Sequence, residues 1–348
     1  MTILTGLVNR ARHLLDVFSR PAWFSTASSL ALLGVLALVP VFVKNEYYIR
    51  VLNTVLTYSM LTLGLNIVLG YTGEFHFGQA ALYAIGAYTT ALLTTRWGVS
   101  FPFAFLASIL LPVAASLLLG FPSLRIRGDY LSLVTFAFGE IVRVVANSWV
   151  QLTRGPMGIP GIPPARFLGF TIQGNVPYYY YGLALTALIY LGCYLIVNSH
   201  FGRAFLAIRE DETAAGAVGI NTGRYKVLAF AISALPAGIA GSYMASYLSF
   251  VGPTNFTADI SILAAEAVIL GGMASLPGSI LGSAILVIAL EILRPIAQFR
   301  KAFIGVTIIS LLLFRPQGLL GEFSLRALLA KGIRDRGTRS WRHDQEQT

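Results

Sequence analysis

The sequence predicts an all-α polytopic integral membrane protein with about ten transmembrane helices and both termini cytoplasmic. Three observations carry that prediction. Of 348 residues, 56% are hydrophobic and 11% charged, whereas a soluble domain carries about 25% charged residues. Mean hydropathy is +0.71. Apolar runs close to the ~20 residues needed to cross a bilayer recur along the chain, bounded by glycine, proline or charge. Too few charges remain to cover a water-facing surface of this size. A soluble enzyme, a disordered chain and a nucleic-acid-binding domain are thereby excluded. The net charge of +10 sits in loops and tails, where basic residues set orientation in a membrane.

The elements follow in chain order. Residues 1–23 are polar to amphipathic, with Arg10, Arg12 and Arg20, and form a cytoplasmic N-terminal segment. The first span, 24–43, ends at Lys44 and Asn45 without a small-residue cleavage site, so it is expected to remain uncleaved. Spans follow at 47–69, 78–95, 101–121 and 130–150. The junction at 70–78 holds Gly70, Gly73 and Gly78 around Glu74 and His76. It reads as a cytoplasmic turn, with a ligand-binding break in the helix as the alternative.

Residues 151–176 form the largest external loop, rich in glycine and proline (Gly155, Pro156, Gly158, Pro160, Gly161, Pro163 and Pro164). Glycine permits tight turns and proline fixes the backbone, so a compact, rigid surface feature is expected rather than a helix. Spans at 177–198 and 226–250 flank the most charged internal loop, 199–226. Tyr178 to Tyr181 are expected in an interfacial aromatic belt. The runs 260–275 and 278–297 are separated only by Leu276 and Pro277, so each reads as a full span or as a half-span that turns back. The last run, 301–314, is short for a crossing. The permease domain thus covers 24–321, and 322–348 is a basic cytoplasmic tail.

Orientation follows from counting. Of the 25 Lys and Arg, Arg143 lies deep within a span; with a cytoplasmic N-terminus, and residues near span ends counted with the adjoining loop, sixteen of the rest fall inside and eight outside. The positive-inside rule favours that arrangement over its inverse. The single cysteine, Cys193, lies in an apolar run and carries no information about redox compartment.

Signals for catalysis are missing. The chain has no Gly-Lys pair and hence no phosphate-binding loop, no H-E-x-x-H, and no G-x-S-x-G, so it offers neither an ATP-hydrolysing site nor a metal or nucleophile constellation. No catalytic residue, metal ligand or cofactor site is assigned.

The strongest positive signal is Gly202 to Asn221, GRAFLAIREDETAAGAVGIN. Arg209, Glu210, Asp211 and Glu212 supply a polar turn. Ala214, Ala215, Gly216 and Gly219 then offer a small-residue surface that lets another protein approach closely. A short helix with that surface suits a membrane subunit seated in a groove of a motor protein; by composition the stretch reads equally as a solvated connector.

Within the spans, Glu140 and Arg143 are three residues apart on one helical face, as are Glu291 and Arg294. Such pairs read as mutual neutralisation that locks helices together, ahead of substrate contact. Glu266 has no opposite charge one turn away in sequence, which favours an interior role. Gly271, Gly272, Gly278 and Gly282 read as close helix packing.

The stretch 202–221 resembles the cytoplasmic coupling region of ABC importer permeases of the LivM type, the branched-chain amino acid family. Four further segments resemble that family in order: Leu124 to Ile141, Tyr247 to Thr257, Val268 to Gly282 and Phe314 to Gly321. Three positions depart from its pattern: Thr213 stands for the Glu of a Glu-Ala-Ala motif, Gln79 for a His after Gly78, and Thr153-Arg154-Gly155-Pro156 for a Thr-Gly-Gly-Pro turn. The resemblance implies a permease subunit in the cell inner (plasma) membrane, surrounded by lipid. Its implied partners are two ATP-binding cassette subunits, a second, LivH-like permease and an extracytoplasmic solute-binding protein. Branched-chain amino acids are the implied substrate, with urea, amides or other small organic solutes as the same-family alternative. Coupling to the ATPases would run through Arg209, Glu210, Asp211, Glu212, Ala214, Ala215 and Gly219. Loop 151–176 and the segment Val251 to Phe256 would dock the binding protein. An ion-coupled secondary transporter using the intramembrane Glu residues is the competing expectation, weakened by the lack of polar residues repeated along several spans.

Overall fold

A computed structural model describes Pro40 and residues 45–123, 126, 128–167, 169–296, 299–315 and 318–320. The segment 1–23, the expected first span (Pro40 apart) and the tail 322–348 lie outside the described residues.

The described chain is mostly helical. Helix α1, Glu46–Asn66, starts where Asn45 accepts a hydrogen bond from the Tyr47 N–H, and widens into a π-helical turn at Ile67–Tyr71. Then come α2 (Gln79–Thr95), α3 (Phe101–Ser123), α4 (Asp129–Ser148), the one-turn α5 (Val150–Thr153) and α6 (Asn175–Val197). Short α7 (His200–Glu210) and α8 (Glu212–Ala217) lead into the long α9 (Thr222–Leu248), and α10 (Ala258–Gly271), α11 (Leu276–Ile292) and α12 (Arg300–Phe314) complete the set. Each expected span from 47–69 onward coincides with a helix. Among the described residues, six stretches are long and apolar enough to cross a membrane: Glu46–Tyr71, Phe101–Gly120, Tyr130–Ser148, Asn175–Val197, Thr222–Leu248 and Pro253–Gly271. The chain is a multi-pass membrane protein.

Helices α1 and α9, with 78% and 67% of their apolar stretches buried against 17% for α4, run through the centre beside the largely buried α2. Their neighbours approach closely because small residues meet at the crossings. A Cβ on Gly238 of α9 would lie 2.2 Å from the Ser108 carbonyl oxygen of α3. Polar side chains then hydrogen-bond across the contacts, as expected where lipid gives helices no hydrophobic reason to associate. Ser59 of α1 shares a 2.7 Å hydrogen bond with Ser283 of α11. One turn further, Thr62 donates to the Ser279 carbonyl, and Asn66 donates to Ser279 Oγ at 2.8 Å.

Helices α10 and α11 make a tight antiparallel hairpin. A Cβ on Gly282 would sit 2.0 Å from the Ala267 carbonyl oxygen, and one on Gly271 1.9 Å from that of Gly278. Asn66 Oδ1 accepts from the Ala274 N–H in the connecting turn, and Leu319 and Leu320 donate backbone N–H groups to Leu270 and Gly271. At 1.5 Å per residue, the 14 residues of α10 extend about 21 Å, short of the ~30 Å hydrocarbon core; the turn from Pro253 lengthens that element.

Two expectations are corrected. Tyr178 and Tyr179 are buried, and within the quartet only Tyr180 is exposed. Tyr178 is held inside because its hydroxyl donates to the Ser246 carbonyl at 2.9 Å and accepts from the Ala165 N–H at 3.0 Å. Glu140 and Arg143 do pair, at 2.7 Å, but within α4 and half-exposed, so this pair locks no two helices together.

Candidate functional site

The loop 199–226 folds into two short helices with defined ends. Ser199 accepts from the Phe201 N–H to start α7, and Phe205 and Ile208 bury its inner face. The chain straightens at Asp211, whose Oδ1 accepts from the Thr213 and Ala214 N–H groups and so caps α8. The other end closes with the Ile220 N–H on the Ala215 carbonyl and the Gly219 N–H on that of Gly216, the paired bonds of a Schellman motif. Gly219 has φ +89°, a left-handed conformation that costs a side-chain-bearing residue about 1–2 kcal/mol. Asn221 then caps α9 by accepting from the Arg224 N–H.

Two cations fasten this unit to the central helices. Arg209 Nη1 donates to the Gly70 carbonyl oxygen at 2.7 Å. That carbonyl lies in the π turn ending α1, where the helix has run out of N–H partners. Gly73, at φ +75°, makes room for Arg209: a Cβ there would lie 3.1 Å from Arg209 Cγ. The second cation is Lys226, 2% exposed in the first turns of α9, with Nζ 2.5 Å from Glu74 Oε1 and 3.0 Å from Glu212 Oε2. Glu74 belongs to the turn after α1 and Glu212 to α8, so Lys226 joins three segments. The break at 70–78 therefore offers its carbonyl to a side chain of the chain itself.

His76 lies in the same turn. Its ring packs edge-on against Phe230 at 4.9 Å, and burial pushes the imidazole down to about 3. It is neutral at physiological pH, and its Nε2 is buried with no hydrogen-bond partner among the described residues.

The expected coupling residues divide by face. Glu210, Asp211, Ala214 and Gly219 are exposed, Arg209 and Glu212 partly buried, and Ala215 buried. Ala215 packs inward and belongs to the foundation of α8. The outward surface is instead Thr213, Ala214, Gly216, Ala217, Val218 and Gly219, with Val218 78% exposed at its tip. A Cβ on Gly216 would meet open space. Glu140, Arg143 and the half-buried Glu266 lie on α4 and α10, outside this cluster. The sequence context of Lys226 does not single it out; the available signal is a cation that follows Arg224 at the head of an apolar run. Gln79, seen only as a departure from a pattern, is fully buried and donates to the Leu61 and Ser233 carbonyls.

At the other end of α9, loop 151–176 is compact, as its glycines and prolines lead one to expect. Strand β1 (Ile159–Pro160) pairs antiparallel with β4 (Phe250–Val251), Ile159 opposite Val251. Strands β2 (Arg166–Phe167) and β3 (Phe170–Thr171) form a small hairpin. The two segments expected to receive a binding protein are thus hydrogen-bonded to each other.

The family model described as branched-chain amino acid transport system / permease component matches residues 47–312. The chain is 35% identical over 314 residues to the high-affinity branched-chain amino acid transport system permease protein LivM of Escherichia coli K12, across 84% of this chain and 74% of that protein. To LivM of Salmonella typhimurium it is 36% identical over 330 residues, 87% and 78% of the two chains. With the permease protein LivH of Escherichia coli K12 it shares 26% identity over 287 residues, 76% of this chain and 92% of that one.

Proposed function

Since the chain belongs to the family of branched-chain amino acid transport system permease components, we propose that it is the membrane-spanning permease subunit of an ATP-driven importer of branched-chain amino acids. Its partners are two ATP-binding cassette subunits, a second permease of the LivH kind and an extracytoplasmic solute-binding protein. It crosses the inner (plasma) membrane about ten times within 24–321, with the N-terminal segment 1–23, the loop 199–226 and the tail 322–348 in the cytoplasm.

One observation carries the mechanism: α8 turns a small-residue face outward while Arg209 and Lys226 tie its base to α1 and α9. A push on α8 then moves the two central helices together. Closure of the ATPases on ATP favours one arrangement of those helices over the other, which is the only way ligand binding can drive a conformational change. Alternation between outward- and inward-open states follows. Loop 151–176 with Val251 to Phe256 receives the loaded binding protein on the far side.

The test is uptake by the complete complex in liposomes. Leucine should accumulate only with ATP and binding protein both present. Uptake by this chain alone in an ion gradient, or transport of urea or an amide in place of leucine, would overturn the assignment.

A further inference from the structure

Between α1, α2, α9 and the start of α10 lies a cavity of about 280 Å³ that the coupling contacts do not touch. It sits just below the ~300–1,000 Å³ of pockets for drug-sized ligands, a size suited to one small metabolite. Among its lining residues there is no Asp, Glu, Lys, Arg or His. Leu61, Met244, Phe256 and Ile260 make most of the wall apolar.

Five neutral polar side chains (Thr54, Thr57, Tyr58, Tyr83 and Asn255) interrupt that wall, and three of them offer hydrogen-bonding capacity to a ligand. Tyr83, 4% exposed, stacks edge-on against Phe256 at 5.0 Å, and its hydroxyl has no hydrogen bond among the described residues. The Asn255 side-chain amide likewise has none among them. Thr57 donates to the Asn53 carbonyl at 3.0 Å, which leaves its oxygen able to accept. Together they supply donors for a carboxylate and acceptors for an ammonium, beside an aliphatic wall.

The position matters as much as the lining. Val251 and Phe250 of β4 form part of the wall, and β4 is paired with β1 of loop 151–176. The side walls are α1 and α9, whose opposite ends Arg209 and Lys226 hold.

We propose that this cavity is the transit pocket for the free amino acid, accepting a zwitterion with an uncharged aliphatic side chain. This rests on the importer reading and names the site within it. A charged side chain entering the pocket loses its water and finds no counter-ion, so lysine and glutamate are excluded by more than a hundredfold. Leucine, isoleucine and valine, differing by a methylene or its placement, differ by only about tenfold.

The experiment uses the complete complex in liposomes. If the wild type does not take up leucine with ATP, the importer reading fails and the pocket goes with it. If it does, Met244→Trp, which fills the cavity, should cut leucine uptake at least tenfold and raise the valine-to-leucine ratio at least threefold, and Tyr83→Phe should slow uptake of both. Unchanged uptake and ratio in both variants would overturn the pocket alone. Should Met244→Trp not assemble, Met244→Cys in a Cys193→Ser chain replaces it. Its alkylation should slow at least threefold in excess leucine but not in lysine; no alkylation, or no protection by leucine, would overturn the proposal.

Discussion

The guanidinium of Arg209 reaches the carbonyl oxygen of Gly70 at 2.7 Å, so the π turn that ends α1 is held by the α7–α8 hairpin, the unit proposed to meet the motor. Hydrogen bonds to charged groups contribute about 1.5–3 kcal/mol, roughly ten- to a hundredfold in the occupancy of the fastened state. Arg209→Met should lower leucine imported per ATP hydrolysed by about tenfold or more, with membrane insertion unaffected. Arg209→Lys should rescue in part, because an ammonium can donate to a single carbonyl oxygen but is carried on a shorter side chain. Parallel uptake and ATPase measurements decide this.

Lys226 is almost wholly buried between two carboxylates. Removing one partner of a buried ion pair leaves an uncompensated charge, a loss of about 3–5 kcal/mol. Lys226→Met should therefore lower the melting temperature of the purified complex markedly, and adding Glu74→Gln with Glu212→Gln should restore most of it. If the triple variant melts no higher than the single one, the charges are not the reason.

The outward face and the frame of α8 are separable. Gly216→Trp or Val218→Asp should abolish co-purification of the ATPase subunits while the permease still assembles, because both positions point to open space or solvent. Gly219→Val should instead strain the cap by about 1–2 kcal/mol, reducing coupling with the ATPases still bound. Bulky groups at Ala215 should act by disturbing the inner packing.

His76 makes stability pH-dependent. Its imidazole ionises near 6.5 in an unfolded chain and only near about 3 when folded, so the unfolded state binds more protons between those values. The stabilisation is fully present above pH 6.5 and declines as pH falls below it. Thermal melts of the detergent-purified complex should show that decline from pH 6.5 to 5, and His76→Phe should flatten it.

Much of this was legible along the chain. Every apolar run within the described residues became a helix, and the glycine- and proline-rich stretch 151–176 became a compact loop. Asp211 and Gly219 bracket α8 as a capping residue and a left-handed glycine do in any helix. These are local properties, fixed by the bilayer's thickness and by backbone stereochemistry. Spacing alone suggested that Glu140 and Arg143 would pair, and they do, but within one helix.

Other features escaped because they depend on which helices meet. Lys226 looked like one more cytoplasmic charge, since its partners Glu74 and Glu212 come from different segments. The tyrosines at 178 and 179 had the composition of an interfacial belt, yet hydrogen bonds to Ser246 and Ala165 draw Tyr178 inward. Ala215 and Ala214 are indistinguishable as letters, and only the docking of α8 turns one inward and the other outward.

By itself the sequence determined a membrane-embedded bundle, the order of its apolar helices and its family, and it marked the stretch proposed to meet the motor. Hydropathy and short motifs act over a few residues, so no knowledge of packing was required. The tertiary structure alone decided that α1 and α9 are the central helices, that Arg209 and Lys226 fasten the hairpin to them, and that an uncharged cavity lies between them. Each of those depends on the angle and register at which distant helices cross, and crossing is set by the summed fit of many side chains.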